Sequence, residues 1–91
     1  MNDNDLQINI GIFRDAIRQA QSDAHTSVSD IELLNTKIVD LKFDSLEKLE
    51  VIMKIEDAFE VMLDEGAVSK CNAVSDLVNL VRVALQSKAR A

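Results

Sequence analysis

No proline interrupts this chain, and only Gly11 and Gly66 break its run of side chains. Proline and glycine end helices and make tight turns, so their scarcity leaves the backbone few places to reverse sharply. A sheet sandwich needs many such reversals and draws on aromatic residues, of which there are three, all Phe. The expected class is all-α. Ninety-one residues make one small domain, 1–91, whose core is thin, because a chain this short buries only roughly 60–65% of its unfolded surface. At 47% hydrophobic it can still form that core.

Leu6, Ile10, Phe13, Ile17 and Ala20 recur at steps of four and three, which predicts a helix over about 5–21 capped by Asn4 or Asp5. Residues 22–43 carry no long periodicity. Val28, Ile31, Leu34, Ile38, Val39 and Leu41 anchor that stretch, and Ser29-x-x-Glu32 suits a turn of helix at about 30–34. An ordered crossover is expected there, not a linker. Asp44-x-x-Glu47 is a second capping box, opening a helix over about 45–62 that Gly66 should bring to an end. A short helix at about 67–71 follows, then a last one at about 73–87, capped by Asn72 and striped by Val74, Leu77, Val81 and Ala84. Lys88 and Arg90 suit the negative pole of that helix. The sum is a small four-helix bundle, three main helices and one short, with a long ordered loop between the first two.

The helix over 45–62 has two apolar faces. At about 100° per residue, Val51, Ile52, Ile55, Ala58, Phe59 and Met62 gather on one side, the expected core face. Leu46, Leu49 and Met53 gather on the other, among Glu50, Glu56, Asp57 and Glu60. Between residues 44 and 60 stand six acids (Asp44, Glu47, Glu50, Glu56, Asp57, Glu60) and two lysines. Large apolar side chains on a solvent face cost solubility, whereas a docking face needs them, with rim charges setting rate and register. The plainer alternative is that Leu46 and Leu49 tuck under the crossover.

Sixteen acids against ten bases leave a net charge of −6. Such a surface repels nucleic acid and anionic membranes and favours basic partners. The single cysteine, Cys71, fits a reducing compartment. No signal peptide is evident at the start of the chain, and no apolar run approaches the roughly 20 residues of a membrane span. The expected setting is cytoplasmic, without membrane insertion. No metal-ligand cluster is apparent, and the only histidine, His25, falls in the crossover. Catalytic residues are expected to be absent, since no assignable base stands near Ser45 to make it a nucleophile. With Asp44 as cap, Ser45 is instead the first helical residue, beside backbone N–H groups and a dipole that favour a phosphate.

These residues carry a resemblance. DSLEKLEVIMKIEDAFEV resembles the acyl carrier protein family, whose second helix opens on Asp-Ser-Leu, has an acid five after the serine, and continues Glu-rich to a Phe. Asp44, Ser45, Leu46, Glu50, Glu56 and Phe59 supply that pattern without a gap, and looser similarity runs from Ile38 to Leu85. The resemblance implies that a phosphopantetheinyl transferase attaches 4′-phosphopantetheine from coenzyme A to Ser45, and that the arm's thiol carries acyl groups as thioesters. Asp44 and Leu46 would frame the attachment site. Leu46, Glu47, Leu49, Glu50, Met53, Glu56, Asp57 and Glu60 would form the docking face for acyl-loading, condensing and acyltransferase enzymes with basic surfaces. The resemblance implies a monomeric carrier serving fatty-acid, lipid or polyketide-type biosynthesis, and three departures point to a specialised one. Phe43 stands where a small residue is common, Met62-Leu63 replaces the usual Ile-Pro, and Cys71 takes an aliphatic core position. An aminoacyl or peptidyl carrier, or an unmodified helical interaction module of the same fold, are the alternative readings.

Overall fold

The computed structural model describes residues 8–21 and 28–90, with side chains to Lys88. Five helices follow one another: α1 (Ile10–Ala20), α2 (Asp30–Asn35), α3 (Ser45–Phe59), α4 (Glu65–Ser69) and α5 (Val74–Arg90), with a 3-10 turn at Ile38–Leu41 before α3. The all-α bundle expected from the sequence is the architecture observed. His25 lies outside the described residues, as do Asn4, Asp5 and Leu6.

The start of α1 corrects the expected cap. Asn9 holds that position, its side chain accepting from the Gly11 amide at 2.8 Å, so the helix begins at Ile10. Phe13, Ala16 and Ile17 then face inward, and α1 packs most extensively on α3. The Phe13 ring meets that of Phe59 with centroids 5.6 Å apart, a tilted aromatic pair. Val51 and Ile55 of α3 are buried in the same cluster.

Within the crossover, Ser29 caps α2 by accepting from the Glu32 amide, and Arg14 ties its start to α1. The guanidinium donates to the Val28 carbonyl at 2.6 Å and pairs with Asp30 at 2.7 Å. The anchoring differs from the expected set. Leu33 is the fully buried residue of α2, whereas Ile31 and Val39 are exposed. A helix of six residues turns one narrow face inward, and Leu33 occupies it. At the far end, the Ile38 amide donates to the Asn72 carbonyl at 2.7 Å and the Val74 amide to the Thr36 carbonyl at 3.0 Å. These two bonds pin the crossover to the root of α5.

Helix α3 is shorter than expected. It stops at Phe59, because Glu60 takes the left-handed conformation at φ 54°. The Glu60 amide donates to the Asp57 carbonyl and the Val61 amide to Glu56, the Schellman pattern that usually employs glycine. Lys88 of α5 reaches back to donate to the Glu60 carbonyl at 2.9 Å, so it serves the end of α3 instead of its own helix. Met62 is consequently outside the helix and 86% exposed, and Ala58 is also exposed, contrary to their expected places on the core face. Gly66 does not end α3. It lies within α4, which starts at Glu65 because Asp64 caps it through the Ala67 amide at 2.9 Å. Helix α5 runs Val74–Arg90, and its start is not capped by the Asn72 side chain. The Asp76 carboxylate turns back to accept from both the Asn72 and Ala73 amides, and those bonds hold its carboxyl below the usual range.

The burial contrast across α3 sets an expected outcome. Ile55→Ala should destabilise the domain by about 2–5 kcal/mol, as deletions of fully buried aliphatic side chains do. Met53→Ala, on the exposed face, should cost about 1 kcal/mol or less. Urea denaturation of the two variants measures both, and equal losses would place Met53 in the core.

Candidate functional site

The start of α3 is built by reciprocal hydrogen bonds. The Glu47 amide donates to Asp44 Oδ1 at 2.7 Å, and the Asp44 amide donates to Glu47 Oε1 at 3.0 Å. This closed capping box satisfies one of the helix's orphan donors and leaves the Ser45 and Leu46 amides without an intrahelical acceptor. Ser45 is exposed on the first turn. It combines a free hydroxyl with the positive end of a fifteen-residue helix, a position that stabilises an attached or bound phosphate.

Ser45 also lines a cleft of about 460 Å³ between α3 and α4. Leu49 and Ile52 from α3, with Leu63 and Val68, supply apolar walls, while Lys48, Glu56 and Glu65 contribute charged groups. Such a channel can hold a slender amphipathic chain attached at the serine. Phe43 does not line this cleft; it is half-buried and packs on the core.

The outward face of α3 brings together most of the residues expected there. Leu46, Leu49 and Met53 are 64%, 53% and 53% exposed, so the crossover does not cover them. Glu50, Asp57 and Glu60 are exposed around them. Two acids of the expected set are already engaged. Glu47 closes the capping box, and Glu56 accepts from the Leu63 amide at 2.8 Å, tying α3 to the following loop. Glu56 is therefore as much a brace of the cleft wall as a surface charge. Leu63 and Val68 were not among the expected site residues; both come from beyond α3, where helical periodicity along one element gives no signal. Lys48 was also missed, although its position one turn after Ser45 places the two on neighbouring parts of the helix surface.

Cys71 is half-buried, with its thiol donating to the Ala67 carbonyl at 3.5 Å. Burial pushes the thiol pKa up, the Asp76 charge adds to that, and Lys48 partly offsets it. A thiol so placed is a poorer nucleophile at neutral pH than an exposed one.

Comparison with known proteins places the chain in a family. The family described as "Phosphopantetheine attachment site" matches residues 15–81. Acyl carrier protein 3 of Ralstonia nicotianae is 43% identical over 49 residues, which cover 54% of this chain and 56% of that protein. The acyl carrier protein of Clostridium acetobutylicum is 32% identical over 54 residues, covering 59% of this chain and 70% of that protein. The solution structure of the acetyl actinorhodin acyl carrier protein from Streptomyces coelicolor superposes with a TM-score of 0.71 over 89% of this chain and 94% of that one, at 17% identity, a likeness of fold. The class is thus that of phosphopantetheine-bearing carriers. Within it, the chain belongs to the acyl carrier protein family, whose members carry acyl groups on phosphopantetheine and are not enzymes.

The capping box can be tested alone. Asp44→Ala removes the acceptor for the Glu47 amide and should cost about 1 kcal/mol of stability in urea denaturation. No loss would mean that the box does not hold the start of α3.

Proposed function

We propose that Ser45 is the residue to which 4′-phosphopantetheine is attached, and that the chain shuttles acyl intermediates between enzymes of fatty-acid, lipid or polyketide-type biosynthesis. The observation that carries this is the exposed Ser45 hydroxyl on the capped first turn of α3, opening on an apolar-walled cleft. Asp44 holds the turn that presents the hydroxyl, and Leu46 lies beside it on the exposed side. The free amides and helix dipole would stabilise the phosphodiester, and the cleft would shelter the chain that follows. The bound group supplies a thiol on which acyl groups ride as thioesters. The chain's own residues present, orient and shelter it.

Partner enzymes, the phosphopantetheinyl transferase among them, would dock on α3. Leu46, Leu49 and Met53 form the apolar centre, and Glu50, Asp57 and Glu60 the acidic rim, with Glu47 and Glu56 at its edge. Loading, condensing and acyltransferase enzymes with basic patches match that surface. Among the described residues no helix is long and apolar enough to cross a membrane. We take the working unit to be one carrier domain, monomeric and cytoplasmic, a setting that the single cysteine and the net charge of −6 suit.

Incubation with coenzyme A and a promiscuous phosphopantetheinyl transferase, followed by intact mass, tests the attachment. The wild type should gain one phosphopantetheinyl unit and Ser45→Ala none. Modification of the variant would move the site elsewhere.

Charge steering is tested by the transferase rate. Glu50→Lys should slow association while helical circular dichroism is unchanged, because an exposed charge adds little to stability. Rising salt should slow the wild type in the same direction. A salt-independent encounter would leave the acids as solvating groups only.

A further inference from the structure

A second cavity, of about 680 Å³, lies on the other side of the α3 start, between the 3-10 turn and the approach to α5. Ile38, Phe43 and Cys71 give it apolar surface, and Lys37, Lys42 and Lys48 stand among its lining residues. No carboxylate lines it. In a chain with sixteen acids and a net charge of −6, three of the six lysines thus converge on one hollow. Among the described residues none of these three ammonium groups has a hydrogen bond or ion pair. An anion bound in the cavity lies within reach of three flexible cationic side chains, and each adds Coulomb attraction to it.

The cavity is joined to the proposed attachment residue from both sides. Phe43 stands two residues before Ser45 and Lys48 one helical turn after it. Lys48 lines both this cavity and the cleft that holds Ser45, so it is the partition between them. A phosphopantetheine arm, being several times longer than one helical turn, can cross that partition. Two of the three departures from the family pattern, Phe43 and Cys71, line this cavity and not the α3–α4 cleft. The bridge between Lys37 and Ala73 holds the two walls in place.

We propose that this cavity receives the distal end of an acyl group that terminates in a carboxylate, with Lys37, Lys42 and Lys48 binding the anion and Phe43 and Cys71 packing on the methylenes. The inference rests on Ser45 as the attachment residue. The concave shape and volume suit a small ligand, since sites of this kind measure roughly 300–1,000 Å³. A protein partner would need a broad surface of about 800 Å². A short stem crossing apolar surface to reach ammonium groups matches the order of chemistry here, and charge-assisted hydrogen bonds hold its end. A fully apolar acyl chain gains nothing from the lysines and would favour the α3–α4 cleft.

Cys71 makes the test direct, because it is the only cysteine in the chain and a thioester masks the arm's own thiol. Glutaryl-coenzyme A and pentanoyl-coenzyme A would be used with the promiscuous transferase to load two samples, whose acyl groups differ in a terminal carboxylate against a methyl. Alkylation of Cys71 by iodoacetamide, an uncharged reagent, would then be timed by mass. Glutaryl loading should slow alkylation about threefold to tenfold relative to pentanoyl, the scale of one or two partly exposed ion pairs. The variant Lys37→Gln/Lys42→Gln/Lys48→Gln, loaded alike, should abolish the difference. Free glutarate added to the pentanoyl carrier should protect far less, because it lacks the local concentration that tethering confers. Equal alkylation of the two loaded forms overturns the inference and leaves the attachment reading intact, as does a difference that survives loss of the lysines. If no mass is gained at Ser45, the attachment reading fails and this inference with it.

Discussion

The Phe13 ring, fully buried on α1, rests against Phe59 of α3, with Val51 and Ile55 in the same cluster, and this packing fixes the rotation of α3 about its axis. Rotation is the quantity that matters for a carrier. A helix turned by about 100° exposes a different residue at every level. Once Ile55 points at α1, Leu46, Leu49 and Met53 must point outward, and Ser45 must open toward α4. The presentation of the serine is thus set fourteen residues away, at Phe59, as much as by its own turn.

The ends of α3 are held by different means. At the start, Asp44 and Glu47 satisfy each other locally, which is why the four-residue pattern was readable from the sequence. At the end, Glu60 adopts a conformation that costs a non-glycine residue on the order of 1–2 kcal/mol. Two backbone bonds and the Lys88 ammonium, which comes from 28 residues further on, offset that cost. No local pattern announces such an arrangement. Gly66, the obvious breaker, therefore drew the expected boundary too far along, and Met62 was assigned to a face it never joins. The same reasoning covers Leu33: short helices carry too few repeats for a stripe to identify the inward residue.

The candidate site divides in the same way. The acidic and apolar outer face of α3 lies on one continuous helix, so a wheel finds it. The cleft and the lysine-lined cavity are assembled from several elements. Leu63 enters through the loop after α3, held by Glu56, and Lys37 and Cys71 face one cavity only because residues 36–38 are bonded to the root of α5. Contacts of that kind depend on tertiary hydrogen bonds that no single-element periodicity encodes. Glu56 illustrates the limit: its place on the proposed docking side is legible, while its role as a brace for the Leu63 amide is not.

Exposing three large apolar side chains is a hazard for a domain with a thin core, since a surface proposed to meet an enzyme can equally meet another copy. The charge pattern addresses both encounters with one device. Two copies approaching face to face bring Glu50, Asp57 and Glu60 against their own kind, and like charges in apposition oppose the contact. A partner with a basic rim removes that repulsion and gains attraction over the same few ångströms, leaving the apolar centre free to bury area. The field is screened within about 8 Å at physiological salt, so it acts only as the surfaces close. On the proposed reading, such a face would favour brief encounters with basic partners over a lasting one with itself, as a shuttle that must release its cargo would require.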